Sequence, residues 1–285
     1  MKRSIILTAA AIALTVISSC GGNGSMTQNN GSNKSEGNSS MCQFDNIKQE
    51  RMMRYTGEEG DTFYIDNKFT AFWPTLINGK PCPELQQALL QALTDSAELN
   101  TIGLTTEYLL KPSEYLELDS VALQPVDAIK GEDGKISTSE VRVRLQDMGD
   151  RLMTYHISTY DYLTGGAHGI YSNRYVTYDL KTGKAVKMSD IIADTTLLRS
   201  VILTSIKQTY DYTEEDLILP ENGLLPLPTE FMIDGSVFHA CYQVYDIASY
   251  AQGAIDAPIY PYMLKPEEMK RLYTPYGLEL IDYSE

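Results

Sequence analysis

Alternation of apolar and polar residues marks the strands of this chain most clearly in its second half. Val141, Val143 and Leu145 are separated by polar residues, which is the period-two pattern of a strand with one buried face. Residues 151–163 follow with apolar side chains on both faces, as in a central strand. The pattern therefore predicts two successive strands.

Runs of aromatic and β-branched residues predict further strands. Residues 62–76 are rich in Phe, Tyr and Ile, and Pro74 indicates an edge strand or a strand end. Turns at Lys181-Thr182-Gly183 and at Asp234-Gly235 predict two hairpins. The predicted hairpin strands cover residues 174–180 and 184–188, and then 229–233 and 236–247.

Helices are predicted where apolar residues recur every three to four positions. Pro83 opens one helix, in which Leu85, Leu89 and Leu93 share a face. Residues 104–118 are ambiguous between helix and strand. Ser189 or Asp190 is predicted to cap a short helix, Thr195 or Thr196 is predicted to cap a longer one, and Pro266 is predicted to start another near the C-terminus.

The predicted elements come in mixed order, without repeated βαβ units. This order favours an α+β fold, mainly antiparallel sheet with a few packed helices, in two subdomains that meet near Leu123–Asp133. The predicted segments are a signal peptide at 1–19, a flexible tether at 20–40, a small α/β module at 41–128 and a larger domain at 129–285.

The first twenty residues are typical of a bacterial lipoprotein signal. Lys2 and Arg3 precede an apolar run over residues 4–17, which is too short to span a bilayer as a stable helix. The small residues before Cys20 resemble a lipobox, in which the cysteine becomes lipidated. We therefore expect the membrane to be a partner through lipidated Cys20, and the protein to lie in the cell envelope, on its periplasmic or cell-surface side.

Composition separates the tether from the folded part and limits the partners. Residues 21–40 are nearly all Gly, Asn and Ser, and such a segment buries too little apolar surface to fold. The whole chain has a formal net charge of −15. That charge argues against nucleic acid as a partner, because phosphates require clusters of Lys and Arg. It fits either plain solubility or attraction of a cationic partner.

Three cysteines remain besides Cys20. The envelope is oxidising, which permits one disulfide and leaves one free thiol. Of the three pairings, we expect Cys42–Cys82, because this bond would tie the start of the folded region to the first helix. Cys241 lies in an apolar predicted strand and is expected to be buried.

The most distinctive motif is residues 162–169, in which Gly165, Gly166 and Gly169 lie within five positions. A phosphate cradle requires a helix directly after the loop, whereas this loop joins two predicted strands. No GxSxG motif accompanies it. One interpretation is a tightly wound loop in which His168 bonds back to the backbone. The catalytic interpretation is a hydrolase cleft around His168.

The three histidines do not predict a metal site. The spacing of His156, His168 and His239 matches neither HExxH nor HxH. His156 and His239 lie in predicted strands, where a hydrogen-bonded histidine in the core or on a sheet face is the ordinary outcome. We therefore expect no metal and no other cofactor.

Tyrosine is unusually frequent, with twenty residues against one Trp and six Phe. Many lie within residues 155–178 and 242–283. Strand tyrosines pack their rings and leave the hydroxyl at the surface. Tyrosine also suits protein recognition, because it offers a large contact area at little rotamer entropy. The sequence leaves both interpretations open.

Two separated motifs resemble a known family. The first is residues 162–169 followed by Tyr175–Leu180 and Gly183-Lys184, and the second is Phe238–Gly253 running into residues 258–262. In this order they are similar to the uncharacterised C-terminal domain shared by RsiV-type anti-sigma factors and PdaC-type peptidoglycan deacetylases. Residues 69–93 resemble the smaller α/β module that often precedes that domain.

The resemblance implies an extracytoplasmic binding domain. In the anti-sigma factors the domain binds lysozyme, and in the deacetylases catalysis belongs to a separate domain whose metal-binding motifs are absent from this sequence. We expect a lipid-anchored, non-catalytic module that binds a protein or wall-derived ligand, specifically a lysozyme-like cationic protein. The alternatives are an envelope hydrolase with a site near His168 and a purely structural component. The candidate ligand-binding residues are Gly165, Gly166, His168, Tyr171 and Tyr250.

Overall fold

Strands from both halves of the chain join in one large sheet. The computed structural model describes residues 42–56, 62–94, 96, 98–110, 124–125 and 136–282. The eight strands of the large sheet are β1 Gln43–Thr56, β2 Thr62–Ile77, β3 Lys80–Pro81, β4 Gln124–Pro125, β5 Ile136–Met148, β6 Leu152–Tyr162, β7 Ile170–Asp179 and β8 Lys184–Ala185.

A smaller sheet and six helices complete the described part of the chain. The small sheet contains β9 Glu230–Asp234, β10 Val237–Tyr242 and β11 Ile255–Ile259. The helices are α1 Pro83–Thr94, α2 Ile102–Leu109, α3 Met188–Ile191, α4 Thr195–Tyr210, α5 Pro266–Leu272 and α6 Pro275–Leu280. Short 3-10 turns cover Glu214–Asp216, Tyr250–Gln252 and Pro261–Met263.

The large sheet is antiparallel except at one position. Its strand order is β4-β1-β2-β5-β6-β7-β8, with β3 paired to the end of β2. β2 and β5 run parallel from the pair Tyr64–Ile136 to the pair Ala71–Val143. A parallel pair requires a long crossover, and α1 and α2 lie within that connection. The small sheet has the order β11-β10-β9 and is antiparallel. The predicted α+β class is therefore confirmed.

Two hydrophobic cores hold the sheets and helices together. In the first, alternate residues of the large sheet such as Phe69 and Val143 pack with Leu85 and Leu89 of α1. The second core joins α4, α5 and α6 to the small sheet, and Phe238 at its centre is completely buried. The first core thus covers one face of the large sheet with helices.

Most of the predicted elements are confirmed. β2, β5, β6, β7 and α1 match their predicted ranges closely, and both hairpins form with Gly183 and Gly235 at positive φ. Pro74 lies near the end of β2, opposite a register shift in β1. The ambiguous residues after Leu104 belong to α2 as far as Leu109. β1, β11 and α6 were missed.

The N-terminal predictions fall largely outside the described residues. The predicted signal peptide, Cys20, the tether and the stretch around Leu123–Asp133 lie there, apart from the two residues of β4. The residues that the structure describes, from 42 to 282 with their gaps, belong to one compact unit. None of the helices that the structure describes combines the length and the apolar character needed to cross a bilayer.

Two predicted helix caps were wrong. α4 is capped by Asp194 instead of Thr195 or Thr196, because its carboxylate accepts hydrogen bonds from the backbone of Thr196 and Leu197 at 2.9 and 2.8 Å. An N-cap side chain must precede the first helical turn to reach these amides. α3 likewise begins earlier than predicted, at Met188.

The predicted Cys42–Cys82 bond is absent from the structure, in which both residues are free thiols. They nevertheless pack in the same core, with Cys82 buried and Cys42 half-buried. Burial raises the pKa of Cys82, and the Cys42 thiol adds to the rise. Cys241 is buried on β10, as predicted.

Candidate functional site

The glycine-rich loop between β6 and β7 is tightly wound. The backbone amide of Gly166 donates to the carbonyl of Leu163 at 2.9 Å, which closes a turn. Gly165 within this turn has a φ of +85°, a conformation that favours glycine. The amide of Thr164 donates to the Ser137 hydroxyl at 3.1 Å and fastens the loop to β5. The predicted wound loop is confirmed.

Five rings gather beside this loop and form what we call the aromatic cluster. The imidazole of His168 stacks on the ring of Tyr250, with a centroid distance of 3.8 Å and an interplanar angle of 17°. Tyr171 meets Tyr250 edge to face at 6.0 Å, and Tyr245 lies tilted against it at 5.8 Å. Tyr160 is the cross-strand partner of Tyr171, so the two rings share one face of the sheet.

Hydrogen bonds to one carbonyl fix the centre of the cluster. The hydroxyl of Tyr250 donates to the carbonyl oxygen of Gly169 at 2.6 Å. Nδ1 of His168 lies 3.0 Å from the same oxygen, so we assign its proton to Nδ1, because a carbonyl oxygen can only accept. Loss of hydration, reinforced by the neighbouring tyrosines, raises the pKa of Tyr250. Its hydroxyl therefore keeps the proton that it donates.

Glycines allow the chain to approach these rings closely. A Cβ atom at Gly169 would overlap the ring of Tyr160. Gly253 has a φ of +80°, and a Cβ atom there would lie 3.3 Å from the Tyr171 hydroxyl. That hydroxyl accepts a hydrogen bond from the amide of Ala254 at 3.2 Å. Three separate chain segments thus hold the cluster in place.

Side chains from β9 and from the loop after β10 hydrogen-bond to the backbone of β7. The side-chain amide of Gln243 forms two hydrogen bonds with the backbone of Asn173. Its Oε1 accepts from the Asn173 N–H at 2.7 Å, and its Nε2 donates to the Asn173 carbonyl oxygen. The carboxylate of Glu230 accepts from the backbone N–H of Tyr175 at 3.0 Å. These side chains satisfy backbone groups that a strand edge would otherwise leave to solvent. The loop that carries Tyr245 is therefore held directly against β7.

Tyr245 combines exposure with an uncommon backbone conformation. Its φ is +70°, and 54% of its surface is exposed. A bulky side chain in the left-handed region is a genuine outlier, and such strain is concentrated at functional sites. The Asp246 carboxylate closes the turn around Tyr245, because it accepts a hydrogen bond from the backbone N–H of Gln243 at 2.8 Å. The sequence shows no signal for this conformation.

Replacing Tyr245 by two small residues should reveal that backbone strain. Tyr245→Gly and Tyr245→Ala remove the same ring, but only glycine adopts positive φ without cost. We expect the Gly variant to exceed the Ala variant by about 1 kcal/mol in the free energy of unfolding, measured in urea. An Ala variant as stable as the Gly variant would show that the backbone relaxes without cost.

The predicted site residues are brought together, and two further members were missed. His168 and Tyr171 each contact Tyr250, while Gly165 and Gly166 shape the adjacent turn. Tyr160 and Tyr245 complete the cluster.

The hydrogen-bond partners of the titratable groups bear on the catalytic interpretation. The hydrogen bond of His168 in the described part of the chain is to a carbonyl rather than to a carboxylate. His239 does meet a carboxylate, with Nδ1 2.9 Å from Asp256, and Cys241 lies two residues further along β10. Burial strongly raises the pKa of the Cys241 thiol, which keeps it protonated and a poor nucleophile.

The placement of the described His, Cys, Asp and Glu side chains bears on metal binding. Among the described residues, no three His, Cys, Asp or Glu side chains are grouped so that they could hold a metal ion. His156 is held instead by Asn173, whose Oδ1 is 2.8 Å from Nε2, and it stacks on Tyr175 at 5.0 Å. His156 and His239 are thus hydrogen-bonded sheet histidines, as predicted.

The fold and the cluster together define an α+β domain that presents a rigid aromatic surface. Among solved structures, the chain is similar to a member of the DUF3298 family from Bacteroides fragilis, with 18% identity, a TM-score of 0.53, and coverage of 84% of this chain and 97% of that one. A DUF3298 family protein from Pseudomonas aeruginosa aligns at 16% identity and a TM-score of 0.47, over 81% and 95% of the two chains. The fold fits a DUF3298-type domain. No protein-family model and no curated protein matches the chain.

Proposed function

We propose that this protein is a lipid-anchored, non-catalytic binding module of the cell envelope, attached through Cys20. Its ligand is a protein or a wall-derived molecule, specifically a lysozyme-like cationic protein, and the aromatic cluster is the contact surface. The observation that carries the proposal is the joining of five exposed or half-buried rings by contacts from three chain segments. The resemblance of the two sequence motifs to the lysozyme-binding domain supports this ligand.

The physical properties of the cluster suit recognition by contact. Tyr245 and Tyr160 are 54% and 40% exposed, so their rings are available to a partner. Because the rings are already ordered, little side-chain entropy is lost when a partner docks. Tyrosine is among the residues that dominate binding energy at interfaces. The surface is thus preorganised for a partner that buries aromatic area.

The net charge supports a cationic partner. A protein of charge −15 attracts basic proteins over a distance set by the salt concentration and speeds their association. Long-range attraction of this kind weakens steeply with ionic strength, whereas contacts between rings do not.

The proposal is tested by the binding of purified lysozyme to the purified full-length chain. We expect binding at about 20 mM salt that weakens at about 500 mM, and Tyr250→Ala should weaken it by about tenfold or more, as for an interface hot spot. Tyr262→Ala is the matched control, because Tyr262 is 81% exposed and stacks on Tyr260 away from the cluster. Biolayer interferometry measures lysozyme binding by the wild type and by both variants at the two salt concentrations. Thermal unfolding checks that the variants are folded.

Two results would contradict the proposal. Absence of binding at low salt removes the lysozyme-like ligand. An equal loss in Tyr250→Ala and Tyr262→Ala removes the aromatic cluster as the contact surface.

A further inference from the structure

The face of the large sheet opposite α1 carries rows of polar side chains. Strand pairing places Glu50 of β1 beside Lys68 of β2, Lys68 beside Glu140 of β5, and Glu140 beside Tyr160 of β6. Cross-strand partners point to the same side of a sheet. A row of four side chains therefore crosses four strands and ends in the aromatic cluster.

The charge on this face differs in sign from that of the whole chain. The same registers place five basic side chains on it, namely Lys48, Arg54, Lys68, Arg142 and Arg144. They place four carboxylates there, namely Glu50, Asp66, Glu140 and Asp147. The described side chains of this face thus carry one more positive than negative charge, on a chain of net charge −15.

Ion pairs along the strands hold these groups in ordered positions. Arg142 donates two hydrogen bonds of 2.5 Å to the carboxylate of Glu140, and Lys68 lies 2.6 Å from Asp66. The hydrogen bond to Asp66 is the main cause that raises the pKa of Lys68. The side chains stay accessible, at 43% for Arg142 and 35% for Lys68.

Aromatic side chains border the charged rows at both ends. Phe44 and Phe72 stack at 4.4 Å beyond Thr70, and Tyr64 lies beyond Asp66 on the same face of β2. All of these rings are half-buried, so one side of each is accessible to solvent. The face therefore combines planar hydrogen-bonding groups with ring surfaces.

We propose that this face binds an acidic polysaccharide, with the glycan running across the strands. Sugar rings stack on aromatic faces, sugar hydroxyls bond to ordered carboxylates and guanidinium groups, and uronate-type carboxylates pair with arginine. Neighbouring strands lie about 4.8 Å apart, close to the length of one pyranose unit in an extended chain. Successive sugars thus meet successive strands. The proposed surface is the charged rows of β1, β2 and β5, which adjoin the aromatic cluster at Tyr160, and the proposal goes beyond the function proposed above.

A glycan fits this face better than a nucleic acid. Four carboxylates among five basic groups repel a dense line of phosphates, and the total charge of −15 adds to the repulsion. An acidic glycan has a lower charge density, and its hydroxyl groups use the carboxylates as hydrogen-bond acceptors.

The test is isothermal titration of the purified full-length chain with three probes: an oligogalacturonate, a neutral cello-oligosaccharide of the same length, and single-stranded DNA of the same charge. We expect the oligogalacturonate to bind best. Arg144→Gln and Arg142→Gln should each weaken it by about tenfold, as expected for charged hydrogen bonds. Lys184→Gln, an exposed basic residue on β8, should leave it unchanged.

Each outcome decides the proposal. No binding of oligogalacturonate at low salt, equally tight binding of the DNA, or an equal loss in Lys184→Gln overturns it. Because Tyr250→Ala should weaken lysozyme binding without affecting the glycan, failure of the glycan proposal is distinguishable from failure of the lysozyme proposal.

Discussion

Replacing Asp179 by alanine should lower the free energy of unfolding by about 3–5 kcal/mol, the usual cost of breaking a buried ion pair from one side. Asp179 ends β7 and is completely buried. Its carboxylate accepts from the Tyr276 hydroxyl and from the backbone amide of Lys181, both at 2.8 Å, and lies 3.5 Å from Arg151. These bonds join the residue before β6, the end of β7 and α6, so their loss loosens the C-terminal helix. Urea unfolding at neutral pH measures the effect.

The pH dependence follows from the direction of the pKa shift. Burial alone would raise the pKa of Asp179, but the hydrogen bonds from Lys181, Tyr276 and Arg151 outweigh it and lower the pKa. A carboxyl group with a lowered folded-state pKa stabilises the fold fully above its unfolded pKa of about 3.9. That stabilisation is lost as the pH falls through the folded-state pKa.

The matched variant Asp179→Asn keeps the shape of the side chain and removes its charge. The difference in the free energy of unfolding between the wild type and Asp179→Asn should therefore become smaller as the pH is lowered from 7 to below about 3.9. A difference that stayed constant with pH would mean that the carboxylate is not ionised in the folded state.

The strands and helices that the sequence predicted best are those with one clearly buried face. Val141 and Val143 of β5 face the first core, and Leu85 and Leu89 of α1 do the same. β1 was missed because it lies near the edge of the sheet, where its residues are half-buried or exposed on both faces and show no alternation. The parallel pairing of β2 with β5 is set by contacts far apart in sequence, which a local pattern does not contain.

The candidate site was predictable where glycines marked the backbone. Three glycines in five residues indicated the wound loop, and the motif after β10 led to Tyr250. Recognising Tyr160 as a member of the aromatic cluster requires the register between β6 and β7. Recognising Tyr245 as a member requires the positive φ of its turn. Neither feature has a sequence signal, because β-strand tyrosines and turn tyrosines look alike before the strands are paired.

Gly277→Ala should also destabilise the fold strongly, by about 2–3 kcal/mol. Gly277 is buried in α6, and a Cβ atom there would lie 2.5 Å from the carbonyl oxygen of Ile191 and 3.1 Å from its Cα. These are backbone atoms, so no side-chain rotation relieves the overlap. The same carbonyl accepts from the amide of Thr274 at 2.9 Å, and a shift would break this bond. Urea unfolding of the variant measures the loss.

Gly103→Ala is the control for this substitution, because a Cβ atom there meets nothing within 4 Å in α2. Alanine has the higher helix propensity, so this variant should be neutral or more stable by up to about 1 kcal/mol. If Gly277→Ala lowers the free energy of unfolding and Gly103→Ala does not, the loss at Gly277 comes from the contact between α3 and α6. Equal effects would assign it to helix propensity alone, and the close packing of α6 on Ile191 would then contribute nothing measurable.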